Sequence, residues 1–106
     1  MTRIAQIIRV RHDKLDEYRR LHAECWPEIL AMMQQQNIRN CSIFHRDGLL
    51  FLYYEYVGTD FEADQALFRN DPTMQRWLDA TAACQQPVAS TDGDGWAPME
   101  ELFHVD

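Results

Sequence analysis

The chain has 106 residues, 46% of them hydrophobic, which suits one domain with a real core and is too little for two. A formal net charge of −7, a pI near 4.9 and no lysine or arginine cluster argue against a nucleic-acid partner and favour small neutral or cationic ligands. No apolar run approaches the roughly 18 residues that span a bilayer, no signal-peptide core follows Met1, and three cysteines without C-x-x-C spacing point to reduced thiols in the cytoplasm.

Residues 3–11 (RIAQIIRVR) mix β-branched with polar residues and predict a strand, ending where Asp13 is placed to cap a helix. From Asp13 to about Gln36 there is no glycine, and Leu15, Tyr18, His22, Cys25, Trp26, Ile29, Met32 and Met33 recur at helical intervals. Pro27 should end or kink this helix near Trp26. Residues 38–45 and 49–57 predict two strands joined as a hairpin by the Arg46-Asp47-Gly48 turn. A shorter helix is expected from Asp60, and Asp71-Pro72 reads as an N-cap followed by proline at the first helical position, opening a helix that carries Met74, Trp77 and Leu78. From Gln85 to about Pro98 there is no periodicity, and so long a connection is expected to act as a lid or to reach a partner subunit. Residues 99–105 predict a last strand.

The order β-α-β-β-α-β predicts an α+β, ferredoxin-like domain over residues 1–106, with four antiparallel strands in one sheet and the helices on one face. The strand over 49–57 is apolar at nearly every position, so its second face also needs cover. A second copy of the sheet supplies that cover and predicts a symmetric homodimer, although an aromatic strand can also line a pocket.

At about 100° per residue, Tyr18, His22 and Trp26 share one side of the first helix, while Asp16, Arg20 and Glu24 fall opposite. His22 is therefore a proton carrier on an apolar face, where leucine would pack at lower cost. It is either a core histidine with satisfied ring nitrogens or a general acid-base group flanked by rings able to stack on the C–H faces of a sugar. Trp77 is likewise either core or ligand platform. His22 and Cys25 have a spacing able to hold a metal, but no third ligand joins them, so no metal is expected. His12 and His45 are expected in solvent, and Glu101 and His104 should point to opposite faces of the last strand. No phosphate-binding glycine loop, nucleophile elbow or zinc-protease motif is present, which leaves proton transfer in a small aromatic pocket.

The segments EYRRLHAECWPEI (17–29), NIRNCSIFHRDGLLF (37–51), DPTMQRW (71–77) and the C-terminal MEELFHVD together resemble the L-rhamnose mutarotases over essentially the whole chain. The resemblance implies a cofactor-free isomerase with a dimeric ferredoxin-like fold, an α/β barrel formed by two chains. It also implies that His22 is the proton donor and that Tyr18, Cys41, Trp77 and Leu78 occupy sugar-contacting positions. The family usually has tyrosine where this chain has Cys41 and a second tryptophan where it has Leu78, so one phenol and one indole are replaced. The expected reaction interconverts the α and β anomers of a 6-deoxy-L-sugar, with L-rhamnose first and L-fucose next. In this scheme His22 protonates the ring oxygen, and Tyr18, water or a carboxylate takes the anomeric proton. One positioned acid-base group gives roughly 10²–10⁴-fold. Two other readings fit the same fold: a cofactor-independent monooxygenase, and a non-catalytic dimer that binds a small ligand.

Overall fold

The structure is a computed structural model and describes residues 1–90 and 95–106. The elements are β1 (Thr2–Val10), a 3-10 turn (His12–Lys14), α1 (Leu15–Ala23), α2 (Pro27–Gln35), β2 (Ile38–Arg46), β3 (Leu49–Tyr56), α3 (Phe61–Asn70), α4 (Pro72–Ala82), β4 (Gln85–Gln86) and β5 (Ala97–Pro98). The sheet is antiparallel in the order β2-β3-β1-β4, and β5 also pairs with β1. This is the expected α+β, ferredoxin-like sheet order.

Local chemistry sets most of the boundaries. The residue before a proline is forced out of the helical region, so Trp26 is extended at φ −62°, ψ 133°, and Pro27 opens α2 as a separate helix. The long helical pattern is therefore two helices meeting at a corner. Asp13 does not cap α1, because the 3-10 turn takes it up and Lys14 occupies the cap position without a side-chain bond. Asp60 and Asp71 do cap: Asp60 accepts from the Ala63 amide, and Asp71 from the amides of Thr73 and Met74. Between β2 and β3, Asp47 and Gly48 both have positive φ (51° and 78°), as a two-residue hairpin turn requires.

The last strand departs from expectation. Its place beside β1 is filled by two short pieces, Gln85–Gln86 opposite Arg9 and Val10, and Ala97–Pro98 opposite Gln6 and Ile7. Residues 99–106 form no ladder. Pro98 has no amide to donate, and beyond it the chain is tied to β1 by the Met99 amide on the Ala5 carbonyl and by the Arg3–Glu101 ion pair at 2.8 Å. Of the aperiodic segment 85–98, residues 91–94 lie outside the described residues.

Alternation along β1 and β3 sends Ile8, Val10, Leu50 and Tyr56 to the helix side, where they are buried. One core cluster joins Ile8, Val10 and Leu50 of the sheet to Tyr18 and Cys84. A second lies among the helices, with Ile29, Met74 and Trp77 at its centre and Leu21, Cys25, Trp26 and Phe68 around it. Side chains such as Ile8, Ile29, Leu50 and Met74, essentially closed to solvent, each contribute about 1.5–3 kcal/mol of transfer free energy. Leu21 touches both clusters. The face of α1 carrying Tyr18 and His22 thus lies where the two clusters meet.

Candidate active site

Tyr18 and His22 are one helical turn apart on α1, and Trp77 comes to them from α4. The Tyr18 and His22 rings are 4.4 Å apart between centroids, His22 and Trp77 meet edge to face at 5.3 Å, and Trp26 meets Trp77 at the same distance. Trp77 is buried in the helix cluster, whereas the His22 ring is half-buried. The imidazole is therefore walled by aromatic rings without being sealed in packing.

The Nδ1 atom of His22 lies 2.9 Å from the Tyr18 carbonyl oxygen. A carbonyl only accepts, so Nδ1 carries the hydrogen and donates it. That bond fixes the tautomer and leaves Nε2 to exchange protons with a ligand: a lone pair in the neutral ring, an N–H donor in the imidazolium.

The Tyr18 phenol is held differently. Its oxygen accepts from Gln85 Nε2 at 3.2 Å, so its own hydrogen remains free to donate. Burial, partly offset by the Gln85 bond, pushes its pKa up to about 12. Tyr18 consequently keeps its hydrogen near neutral pH and is placed as a hydrogen-bond donor.

Cys41 reaches the same region from the sheet. Register slips between Arg39 and Ser42, and Asn40 adopts a positive φ of 52°. The bulge lets Ile38 and Cys41, three residues apart, both face the helices. The Cys41 side chain is open to solvent, yet the protein around it pushes the thiol pKa up, with Cys25 adding to the effect, and Cys41 in turn raises Tyr18. These groups are close enough to feel one another's charge. Leu78 follows Trp77 on α4 but is 40% exposed.

The other expected histidines stand apart. His12 and His45 are exposed, and His45 accepts from the Gly48 amide at the hairpin turn. Glu101 bonds Arg3 and His104 bonds Asp106, so neither joins His22. Among the described residues no three His, Cys, Asp or Glu side chains converge as a metal site. Two surface depressions of about 410 and 390 Å³ lie elsewhere, one along α3 at Phe61, Gln65 and Arg69, the other at His12, Leu15 and His45. The ring cluster and the fixed tautomer, more than surface shape, mark the site.

One group at the site has no counterpart in the sequence motifs: Gln85 orients the Tyr18 hydroxyl from an aperiodic stretch.

An α+β domain that presents one poised imidazole nitrogen among aromatic rings is built as a small enzyme that moves protons on its ligand. The sequence pattern of the L-rhamnose mutarotases matches residues 3–105. An L-rhamnose mutarotase of Shouchella clausii is 36% identical, with 99% of each chain covered, and one of Bacillus subtilis is 30% identical over the whole of both. An L-fucose mutarotase of Xanthomonas campestris is 29% identical, covering 97% of this chain and 87% of its own. In three dimensions the chain is similar to an L-rhamnose mutarotase from Formosa agariphila, with a TM-score of 0.79 at 21% identity and full coverage of both chains. It is also similar to an antibiotic biosynthesis monooxygenase, with a TM-score of 0.60 at 14% identity over 96% of this chain and 99% of that one. At those identities the structural likenesses are of fold alone. The chain belongs to the L-rhamnose mutarotase family, a family of isomerases.

Proposed function

We propose that the protein interconverts the α and β anomers of L-rhamnose, with L-fucose the next candidate, through acid-base opening of the pyranose ring at His22. The relatives of 30% and 36% identity support L-rhamnose, and the relative named for L-fucose keeps that sugar in play. The observation that carries the mechanism is the Nδ1 bond of His22 to the Tyr18 carbonyl, which leaves Nε2 as the exchanging nitrogen. In the imidazolium form Nε2–H protonates the ring oxygen while the anomeric hydroxyl gives its proton to water. The bond from C1 to the ring oxygen breaks, an aldehyde forms, and rotation about C1–C2 precedes closure on the other face. Reversal of the two proton transfers returns His22 to its starting state. Tyr18 donates a hydrogen bond to the sugar, and Trp77, backed by Trp26, walls the imidazole with apolar surface. Cys41 and Leu78 stand at sugar-facing positions with smaller groups than a phenol and an indole.

The same reading makes the protein a cytoplasmic homodimer. Its three free thiols suit a reducing compartment, and among the described residues no helix is long and apolar enough to cross a membrane. The outer face of the sheet carries Ile7, Phe51 and Phe44, a surface suited to a second copy.

Saturation-transfer NMR on L-rhamnose tests the proposal. Anomer exchange with the wild type should exceed that in buffer, and His22→Ala should lose about 10²-fold or more of that gain. Equal exchange by variant and wild type removes His22 from the chemistry.

A further inference from the structure

Of the three tyrosines of β3, two have a visible hydrogen-bonding task and one does not: Tyr53 donates to Glu55 and Tyr56 to Asp64. Among the described residues the hydroxyl of Tyr54 has no hydrogen-bond partner, although the side chain is half-buried. Alternation places Tyr54 with the buried Leu50 and Tyr56 on the helix side of β3, opposite Ile4 of β1. On its other side β3 is flanked by the bulge of β2, where Arg39 pairs with Glu55 and Ser42 with Tyr53, so Tyr54 faces the two residues Asn40 and Cys41. A bulge at this point widens the local spacing of the strands and turns Cys41 toward the helices.

Tyr18 packs with Ile8 and Leu50 on the helix side of the sheet, the side that Tyr54 faces, and its ring lies against His22. Crowding by the surrounding protein, then Cys41, push the Tyr54 phenol up, with Arg69 of α3 acting the other way. The phenol therefore keeps its hydrogen near neutral pH. Cys41 is too short, and its thiol too weak a donor, to serve a sugar hydroxyl as a phenol does.

We propose that Tyr54 is a specificity-determining residue of this site: its unpaired hydroxyl, standing opposite the Asn40–Cys41 bulge, makes the sheet-side hydrogen bond to a sugar hydroxyl while Tyr18 and His22 hold the sugar from the helix side. This rests on the mutarotase reading and adds to it the group that senses the sugar's hydroxyl pattern. The Tyr54 oxygen is not sealed from solvent, so its hydrogen is free to meet a ligand, and a site built around such a bond discriminates against ligands lacking the matching hydroxyl.

The test compares wild type with Tyr54→Phe, which removes one oxygen and leaves the ring. Dissociation constants for L-rhamnose and its monodeoxy analogues are measured by NMR titration, alongside KM and kcat for anomer exchange. For L-rhamnose, Kd and KM should rise about three- to tenfold, matching one net hydrogen bond, with kcat within about twofold of wild type. One deoxy analogue should bind wild type and variant equally, because it already lacks the hydroxyl that Tyr54 meets. A variant with the wild-type melting temperature and unchanged Kd overturns the proposal, as does a loss that is the same for every analogue. Should Tyr54→Phe unfold, the wild-type analogue series still decides, since the proposal requires one hydroxyl other than the anomeric one whose removal weakens binding by that same factor. Wild type that binds L-rhamnose without accelerating exchange defeats the mutarotase reading alone, and the Kd comparison still judges Tyr54. Wild type that binds no sugar overturns both.

Discussion

Burying the Tyr18 phenol beside His22 gives the site a donor that stays protonated, and it also ties stability to pH. Its pKa of about 12 in the folded chain exceeds the ordinary tyrosine value of about 10. Above pH 10 the unfolded chain therefore releases this proton first. Between pH 10 and 12 the folded state binds more protons than the unfolded one, and stability falls as pH rises. A pKa raised this far corresponds to roughly 3 kcal/mol of stability, fully present below pH 10 and lost across this window. Denaturant unfolding of wild type and Tyr18→Phe from pH 9 to 12 measures it: the variant should lack this part of the alkaline decline, and parallel curves would show that the phenol is not held by burial. At the residue scale the helical spacing brought Tyr18 and His22 together, but the second ring against His22 is Trp77 of α4 and not Trp26, which lies beyond the end of α1. The tautomer was not legible, since it depends on where the Tyr18 carbonyl points, and neither was the Gln85 bond, which joins residues 67 apart in sequence.

Helix ends in this fold are set by single side chains, and the N-terminus of α4 decides where Trp77 sits. Asp71 accepts from the Thr73 and Met74 amides at 2.9 and 3.0 Å, Pro72 presets the first turn, and Met74, one turn before Trp77, is completely buried. Asp71→Ala should cost about 1 kcal/mol and lower the melting temperature by roughly 4–8 °C. Calorimetry checks this, and a change of under about 1 °C would show the cap to be idle. This cap, like that of Asp60 and the Asp47-Gly48 turn, was legible because the signal is local: the residue that makes the bond lies within three positions of the one that receives it. The corner at Trp26 was legible as an interruption, but whether proline would kink or divide the helix depended on the tertiary packing of α2. The strand expected over 99–105 failed for the complementary reason. A ladder needs a partner edge, and β1 spends its edge on Gln85–Gln86 and Ala97–Pro98. The bulge at Asn40–Cys41, which turns Cys41 inward, has no local signature, because asparagine is common in positive-φ positions of many kinds.

One chain leaves the outer face of its sheet uncovered. Ile7 pairs with Phe51, Phe51 pairs with Phe44, and the two phenylalanine rings lie 6.2 Å apart on the side away from the helices, with Phe44 61% exposed. In the C-terminal segment Leu102 and Phe103 are 85% and 83% exposed. The near-continuous apolar run of β3 predicts from sequence that both faces need cover, but a single sequence carries no information on which surface of a second copy would supply it. Contiguous apolar patches of this kind mark association surfaces, and a stable pair buries about 800 Å² on each partner. Two sheets stacked face to face about 10 Å apart would put Phe44 and Phe51 of both copies between them. Light scattering on the eluting protein should therefore give twice the 12.5 kDa mass of the chain. Phe44→Glu places a charge in that layer and should yield single chains of 12.5 kDa with helical content retained, because Phe44 belongs to neither core cluster. A wild type that elutes as single chains at micromolar concentration, or a Phe44→Glu variant that still pairs as tightly as the parent, would place the association surface elsewhere or remove it.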